Sequence, residues 1–507
     1  MAGSPKLSPR SAWDFFALVW GILCLIGNFA IIVFDGSFFT RRSKKAARNL
    51  ETAQEDLWNL ASVKYGYHRF FELENGVKLH YVERCSPDDT SQPDETPRNL
   101  VILLHGFPDS WALWKDHLQL PRDAPRAWLI ALDLPGHGGS DNLKSYDPNV
   151  FLETMVEFII AMRDKYLEEA HTQNKVVIVG HDWGAAIALR LAAEAHQLAD
   201  RFIVSNTVLL GLARANITDR CSSALKMTKT WLHRLSASLR TTLFDCRLLS
   251  TAFRTLVPVL HQLLLSHYIF IFQLPHPLPT LYGRLGNFWF LRQAHSHASP
   301  SSSSSSSSPP IQHQTTSTSA SASASASAFA SSLGPSPTNC TTQTPTHATY
   351  GASVLARAQR PDGGFPEKIR LYREGLLARR WSRSLHTLAA LQNLEEAALT
   401  DGDDNGRSSV GGADGPEGAV KAPCTVVWGA KDAALDRRIC LEGMGAYLGV
   451  KGSQVVLLPE AGHWAVTERE GKAVVTACLL WSLQGEEDDL RGRVQALGTN
   501  MKFLVDK

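Results

Sequence analysis

The segment GHDWG, centred on Asp182, carries the side chain best placed for nucleophilic chemistry in this chain of 507 residues. Four apolar residues at 176–179 predict a short buried strand, and Gly180 and Gly184 allow a tight turn before a helix begins near 185. This pattern is a G-x-nucleophile-x-G elbow, which presents one side chain at the edge of a sheet. A carboxylate there indicates attack on carbon. The alternative is an ordinary strand-to-helix junction with an N-cap aspartate.

Two further polar residues follow late predicted strands, where ligands bind in open α/β sheets. Asp432 follows one strand and His463 follows the last, which gives the hydrolase order of nucleophile, acid and base. A neutral imidazole can take a proton from water near pH 7, and a carboxylate can orient it and stabilise the imidazolium. Alone, His463 would pass for a core histidine and Asp432 for a turn residue. Together with the elbow they predict a catalytic triad.

The motif HGFP at 105–108 follows another apolar strand. In that position the backbone N–H of Phe107 can pair with the N–H of Trp183 to hold an oxyanion. Pro108 would stiffen the loop. The alternative is a simple turn, and the place of the motif directly after a predicted buried strand favours the oxyanion hole.

The elements that must position these residues alternate along the chain. Segments 69–73 and 78–83 flank Asn75-Gly76, which predicts a hairpin. Further strands are predicted at 100–104, 127–132, 176–179, 202–205, 425–428 and 455–458, with helices near 149–165, 185–196 and 473–483. A hairpin followed by alternating strands and helices predicts a mostly parallel sheet with helices on both faces.

Composition divides the chain into segments. The predicted boundaries are an N-terminal segment 1–14, a transmembrane anchor 15–34, a basic juxtamembrane linker 35–66, a first core part 67–211, a helical cap 212–397, a flexible loop 398–421 and a second core part 422–507. Within the cap, 294–349 contains an eight-serine run and an alternating Ser-Ala tract. We expect disorder there, because so little apolar surface cannot offset the entropy of ordering.

The segment 15–34 holds twenty residues without a charge. At ~1.5 Å per residue it is long enough to cross a ~30 Å hydrocarbon core. A cleaved signal peptide is the alternative, but no A-x-A-like site follows. Two basic residues precede the segment and five follow it closely, which predicts a single-pass anchor with the large C-terminal part in the cytosol, in the endoplasmic reticulum membrane.

Bulk composition excludes several classes of function. With 51 basic and 49 acidic residues the chain has little net charge, so its overall electrostatic field does not indicate nucleic-acid binding. The eight cysteines are scattered without a C-x-x-C spacing, which favours a reducing compartment and predicts no metal site.

The motifs HGFPDSW, GHDWGA, WGAKDAAL and AGHW resemble those of epoxide hydrolases of the α/β-hydrolase superfamily, most of all the membrane-anchored members. The resemblance covers about 67–292 and 364–483. It implies an α/β-hydrolase fold with a helical cap inserted after the sixth strand, and no cofactor. It further implies that Asp182 attacks an epoxide carbon to form an alkyl-enzyme ester, which water activated by His463 and Asp432 hydrolyses to a diol. The expected partner is a small-molecule epoxide, with lipid or fatty-acid epoxides favoured, in lipid metabolism or detoxification.

The same resemblance implies two cap tyrosines that protonate the epoxide oxygen. Tyr268 fits the spacing Y-x-x-x-F-Q, and Tyr372 lies in a Leu-Tyr-Arg segment that departs more from the family pattern. Each could instead be a core residue whose hydroxyl contacts solvent. The residues expected to contact substrate are His105, Pro108, Trp183 and Phe272. Leu134-Pro135-Gly136 stands where the family commonly has Arg before Gly, which leaves the packing of that loop open.

Two rival functions use the same residues. A haloalkane or haloacid dehalogenase shares the Asp nucleophile, and Trp183 could bind its halide. Those enzymes tend to have Asn in place of Phe107 and do not need the tyrosines. A catalytically silent, membrane-tethered binding protein is the other rival, and the presence of Asp182, Asp432 and His463 together argues against it.

Overall fold

The computed structural model describes residues 9–87, 99–167, 174–237, 246–296, 315–400, 415–498 and 500–507. Within these ranges nine strands form one sheet. They are β1 (Tyr67–Glu72), β2 (Lys78–Ser86), β3 (Asn99–Leu104), β4 (Ala127–Leu132), β5 (Lys175–His181), β6 (Arg201–Ser205), β7 (Cys424–Gly429), β8 (Gln454–Leu458) and β9 (Lys502–Asp506).

The sheet is mixed, in the order β1-β2-β4-β3-β5-β6-β7-β8-β9. The strands from β4 to β8 in this order run parallel, whereas β1, β2 and β9 pair antiparallel. The carboxyl ends of β3, β5, β7 and β8 therefore lie at the same edge. All six residues of β3 are buried, as expected of a strand covered by helices on both faces.

Helices cover both faces of the sheet and form the segment inserted between β6 and β7. The helices before the insertion are α1 (Pro9–Phe34), α2 (Lys44–Trp58), α3 (Pro148–Tyr166) and α4 (Trp183–Glu194). Those in the insertion are α5 (Leu210–Ala237), α6 (Arg247–Leu265), α7 (His267–Phe272), α8 (Leu278–Ser296), α9 (Thr315–Leu333), α10 (Ala352–Ala358), α11 (Phe365–Lys368), α12 (Arg370–Arg373) and α13 (Leu385–Thr400). After it come α14 (Arg437–Cys440), α15 (Met444–Tyr447), α16 (Arg469–Leu483) and α17 (Leu490–Ala496).

The predicted fold class is confirmed: this is an α/β-hydrolase fold with a helical cap after the sixth strand. The eight predicted strands are all present, extended at most by a few residues. Pairing of Phe202 with Cys424 joins the two core parts across the insertion. The ninth strand, β9, was not predicted. It is a five-residue edge strand in which exposed and half-buried residues alternate, so its apolar signal is weak.

The expectation of disorder over 294–349 is wrong for residues 315–349. There α9 packs beside α2, and Trp58 donates its indole N–H to the carbonyl oxygen of Ala330 at 3.1 Å. Ser331 hydrogen-bonds Ser110, with 2.6 Å between the two Oγ atoms. Alanine is the best helix former, and the small Ser and Ala side chains allow a close approach, so low complexity here does not prevent packing. The eight-serine run at 301–308 lies outside the described residues, as does 401–414 of the expected flexible loop.

Two helices in the described part of the chain are long and apolar enough to cross a membrane: α1, over Ala12–Phe34, and α6, over Arg247–Leu265. The second was not predicted. The length and composition of α1 also fit a signal sequence. In the structure α1 packs against α7 and α8 of the cap.

Candidate active site

Asp182 lies at the sharp turn between β5 and α4, with φ 48° and ψ −113°. Non-glycine residues rarely adopt positive φ, so the surrounding structure must hold this backbone in place. A Cβ on Gly184 would lie 2.2 Å from the carbonyl oxygen of Leu104, which explains why the turn needs glycine there. Thr207 donates its hydroxyl to the backbone oxygen of Asp182 at 2.7 Å. The side chain of Asp182 makes no capping hydrogen bond to α4, contrary to the alternative of a structural N-cap.

The two amides predicted to form an oxyanion hole both face the carboxylate of Asp182. Phe107 donates its backbone N–H to Oδ2 of Asp182 at 2.9 Å, and the backbone N–H of Trp183 lies near enough to lower the pKa of this carboxyl group. Gly106 allows the approach, since a Cβ there would lie 2.5 Å from Cβ of Asp182. Burial raises the pKa of the Asp182 carboxyl to about 6, against the opposing effects of His463 and the two amides.

His463 is oriented by Asp432. Nδ1 of His463 lies 2.9 Å from Oδ2 and 3.0 Å from Oδ1 of Asp432, so Nδ1 donates its proton to this carboxylate. Nε2 of His463 points to Asp182, 3.8 Å from Oδ1. Burial disfavours the imidazolium, but the Asp432 carboxylate outweighs that effect and raises the pKa of His463 to about 9. Three residues far apart in the sequence therefore lie together, with Asp432 hydrogen-bonded to His463 and Asp182 at 3.8 Å from its other ring nitrogen.

Asp432 is itself held by several donors. Its Oδ2 accepts the side-chain amide of Asn206 at 2.7 Å, and its Oδ1 accepts the backbone N–H groups of Ala434 at 2.7 Å and Leu435 at 3.0 Å. Asn206 was missed by sequence reasoning, although it directly follows β6. Its position at a strand end was the available signal.

Asp109 is a second buried acid near the triad that sequence reasoning quoted only as part of a motif. Trp464, the residue after His463, donates its indole N–H to Oδ2 of Asp109 at 2.8 Å. Burial raises the pKa of Asp109 to about 6. His295 of the cap lies beside this acid, with 3.8 Å between its Nε2 and Oδ1 of Asp109.

The two predicted cap tyrosines meet over Asp182. The ring centroids of Tyr268 and Tyr372 are 6.1 Å apart, and the two rings meet edge to face. The ring of Trp183 packs edge to face against Tyr372, with 4.7 Å between the centroids. Burial, together with the charge of Asp182, keeps the pKa of both phenols above the ordinary value, so both stay protonated at neutral pH.

Aromatic rings surround the tyrosines. The ring of Phe272 lies 5.2 Å from Tyr372 and 5.6 Å from Phe107, measured between centroids, and Trp183 lies 4.7 Å from Tyr372. Phe272 is fully buried, so in this structure it shapes the pocket by packing behind the tyrosines. The result is an apolar site with a carboxylate on one side and two phenols on the other.

His105 does not contact this pocket, which corrects the expectation that it binds substrate. Its ring is fully buried, with Nδ1 at 2.7 Å from the carbonyl oxygen of Gly106 and Nε2 accepting the backbone N–H of Leu134 at 2.9 Å. Both ring nitrogens are thus used to join two loops. Pro108 is also buried, in the loop that carries the Phe107 amide.

The loop that departs from the family pattern at Leu134-Pro135-Gly136 is held from the cap. The buried guanidinium of Arg357 donates through Nη2 to the carbonyl oxygens of Gly138 at 3.0 Å and Ser140 at 2.7 Å. The packing of this loop therefore depends on an arginine more than two hundred residues away. No sequence signal nearby could have found it.

Other candidate sites are few. Within the described ranges, no three or more His, Cys, Asp or Glu side chains are grouped so that they could hold a metal ion. A cavity of about 660 Å³ lies apart from the triad, between α2 and residues 336–339, and its lining includes Glu51, Glu55 and Asn339.

Comparison with known proteins gives the same fold. The family described as "alpha/beta hydrolase fold" matches residues 99–300. Epoxide hydrolase 3 of Xenopus tropicalis is 30% identical over 151 residues, which cover 29% of this chain and 36% of that protein. Human epoxide hydrolase 4 is 29% identical over 148 residues, covering 29% and 36%. Epoxide hydrolase B of Mycobacterium tuberculosis is 34% identical over 129 residues, covering 25% and 31%.

Each of these matches spans about a third of the length of the relative, 36%, 36% and 31%. Among solved structures, an epoxide hydrolase of Bacillus megaterium in complex with an inhibitor superposes with a TM-score of 0.44 at 16% identity, covering 82% of this chain and 99% of that one. The family match over residues 99–300 and the sheet topology give the chain an α/β-hydrolase fold, and the proteins that it matches in sequence include epoxide hydrolases.

Proposed function

We propose that this protein is an epoxide hydrolase that converts epoxides to vicinal diols through a covalent ester on Asp182. The observation that carries the proposal is the pair Tyr268 and Tyr372, whose rings lie in contact and whose phenols are close enough to Asp182 to be affected by its charge. Opening an epoxide expels an alkoxide, a base too strong to leave without a proton. A nucleophile facing two protonated phenols across an apolar pocket meets that need.

In the first step, the Asp182 carboxylate attacks an epoxide carbon and the C–O bond of the ring breaks. The expelled oxygen takes a proton from one phenol, and the second phenol stabilises the tyrosinate by hydrogen bonding. The products are a hydroxyalkyl ester on Asp182 and a tyrosinate. The carboxylate is available because its pKa of about 6 leaves it ionised at neutral pH.

In the second step, a water molecule attacks the ester carbon while Nε2 of His463 takes its proton. Esterification has removed the negative charge of Asp182, one of the groups that raise the pKa of His463, so the imidazole becomes a better base at this stage. The amides of Phe107 and Trp183 stabilise the oxyanion that forms. Collapse releases the diol and restores the carboxylate, and the proton set free by hydrolysis returns to the tyrosinate.

A dehalogenase is the nearest rival, since it would use the same Asp182, His463 and Asp432. A halide leaving group needs no proton donor, whereas the expelled oxygen of an epoxide does. The two phenols beside Asp182 therefore support the epoxide reaction. A catalytically silent binder would have no use for the oriented His463 and Asp432 pair.

Membrane attachment by α1 completes the proposal, supported by its twenty uncharged residues. The sequence predicts a single-pass anchor in the endoplasmic reticulum with a cytosolic catalytic domain, and attachment with α1 in the plane of the membrane is the alternative arrangement. An apolar, aromatic pocket on a membrane-attached protein favours lipid or fatty-acid epoxides as substrates, and a role in lipid metabolism or detoxification.

The test is product analysis with the full-length protein and a panel of fatty-acid epoxides, small aromatic epoxides, haloalkanes and haloacids. We expect diols from epoxides and no halide release. The Asp182→Asn variant, which keeps the size of the side chain but lacks the nucleophile, sets the background. Halide release without diol formation would establish the dehalogenase, and turnover of neither class by the wild type would favour the binding protein.

A further inference from the structure

One face of α1 is docked along the cap. Gly21, Cys24, Asn28 and Ile32 are buried, and their spacing of three and four residues marks one stripe of the helix. Most of the remaining surface of α1 is apolar and exposed. One face of this helix therefore packs against the cap, and the opposite face is exposed.

The docking runs along nearly the whole helix. Near its start the ring of Trp13 lies 6.3 Å from Phe270 of α7. In its middle Asn28 accepts the hydroxyl of Tyr282 at 3.2 Å. Just past its end Asp35 accepts the indole N–H of Trp289 at 2.8 Å. From residue 13 to residue 35 an α-helix rises about 33 Å, which is the thickness of a bilayer core.

The backbone of α1 also approaches the cap closely. A Cβ on Gly21 would lie 2.6 Å from the carbonyl oxygen of Phe270, so the backbones of α1 and α7 almost touch. The amide of Asn28, one of the few polar groups in the apolar segment, lies buried against the cap. It hydrogen-bonds Tyr282, whose ring lies 5.3 Å from that of Phe290, measured between centroids. The ring of Phe290 in turn contacts Tyr268.

A helix docked in this way cannot cross a bilayer without taking α7 and α8 with it. These cap segments carry polar groups beside α1, among them Asn287, which accepts a hydrogen bond from Arg42, and Arg292, which donates to the carbonyl oxygen of Gly286. Arg284 of α8 is exposed. Charged groups and irregular backbone in contact with hydrocarbon are strongly disfavoured, and residues 285–288 of α8 have non-helical backbone.

The uncovered face fits the surface of one leaflet. Its exposed apolar side chains include Phe15, Ile22, Ile26, Phe29 and Phe34, followed by Phe38 and Phe39. The exposed side chains of Arg41, Lys44, Lys45 and Arg48 come next. An apolar ribbon followed by basic residues complements hydrocarbon beneath anionic headgroups.

We propose that α1 lies in the plane of the membrane, with its uncovered face in one leaflet and its docked face holding the cap against the surface. The partner is an anionic lipid surface. The inference rests on the proposed membrane attachment, and it is independent of the proposed reaction. It places α7, the helix that carries Tyr268, directly behind the lipid-facing helix.

Glycosylation mapping tests the orientation of α1. The full-length chain, with acceptor tags on flexible linkers at both ends, is translated with microsomes, and an unrelated lumenal protein with the same tags shows that they can be modified. We expect the protein to float with the membranes with neither tag glycosylated. Every single-pass orientation places one tag in the lumen, so modification of either tag would overturn the in-plane placement while leaving attachment intact. Failure to float would overturn attachment itself.

Substitutions on the uncovered face test the contact with lipid. We expect Ile22→Gln with Ile26→Gln to lower flotation with phosphatidylserine-containing vesicles roughly tenfold or more, because two apolar side chains no longer leave water. Leu225→Gln with Leu232→Gln, at exposed apolar positions of α5, is the matched control and should float like the wild type. Unchanged flotation of the α1 variant, or an equal loss in the control, would contradict the proposed surface. Circular dichroism and thermal unfolding show whether each variant is folded, without reference to any activity.

Discussion

At neutral pH Asp182 and His463 carry opposite charges, because their pKa values are shifted to about 6 and about 9. The resting pair is suited to the first step, in which the carboxylate must be ionised, and not to the second, in which the imidazole must accept a proton. In the proposed reaction, formation of the ester would remove one charge of the pair and so lower the pKa of His463. The first step would thus prepare the base for the second.

The raised pKa of Asp182 predicts an acid limit for ester formation. A carboxyl group with a pKa of about 6 is neutral below that pH, so the alkylation rate should fall as pH falls through 6 and be roughly tenfold lower at pH 5 than at pH 8. Single-turnover kinetics measure this rate. Asp109, whose pKa is also about 6, provides the control: Asp109→Asn should keep an acid limit, moved slightly to lower pH because the charge of Asp109 helps to raise the pKa of Asp182. A rate that stays flat down to pH 5 would contradict the assignment.

The two phenols predict a slower first step when they are removed. Tyr268→Phe combined with Tyr372→Phe deletes both proton donors and should lower the alkylation rate by about 10²–10⁴-fold, the usual contribution of general acid catalysis. Tyr282→Phe is the matched control, because its hydroxyl binds Asn28 and not the pocket. Rapid-mixing fluorescence with an epoxide follows the step. An equal rate in wild type and double variant would remove the tyrosines from the mechanism.

Sequence reasoning singled out candidate residues mainly from motifs at the ends of strands. Asp182, Asp432 and His463, which the structure brings together, could be singled out because turn glycines and apolar runs mark the ends of β5, β7 and β8. Asn206 also follows a strand directly, but this signal was not used, whereas Arg357 was missed because its contacts are with residues far away in the chain. His105 was wrongly given a substrate contact, since sequence alone did not reveal that both its nitrogens are used inside the fold.

Among the elements, α9 departs most from expectation. Its alternating Ser and Ala residues resemble a linker by composition, but Phe329 and Ala330 are buried and Lys368 donates to the carbonyl oxygen of Ser332 at the end of the helix. The expectation of disorder was based on composition, which considers the Ser-Ala tract without the surfaces on which it can pack. The docking surface on α2 and the core supplies the buried contacts that the tract cannot make by itself.

Hydrogen exchange tests whether α9 is folded onto the core. We expect amides near 328–333 to exchange much more slowly than an unstructured peptide of the same sequence. Ala330→Asp, which places a charge at a fully buried position, should abolish this protection. Ala324→Asp, at an exposed position of the same helix, should leave it in place. Exchange at the unstructured rate in the wild type would restore the expectation of disorder.

At the scale of the whole molecule, one catalytic site is assembled from segments far apart in the chain. The first core part supplies Asp182 and the Phe107 amide, the cap supplies the tyrosines, and the second core part supplies Asp432 and His463. Parallel pairing of β6 with β7 brings the two core parts together. The succession of strands and helices along the chain and the helical insertion were predictable from apolar periodicity. The docking of α1 on the cap and of α9 on α2 depends on surfaces that only the folded molecule presents.

Covalent trapping tests the central claim most directly. In the His463→Gln variant the ester should form on mixing with a fatty-acid epoxide but fail to hydrolyse, because no base activates water. Intact-protein mass spectrometry should then show an increase equal to the mass of the epoxide, and peptide mapping should place it on Asp182. The same variant with Asp182→Asn added should gain no mass. Absence of the adduct in His463→Gln, or its location on any other residue, would contradict the two-step mechanism.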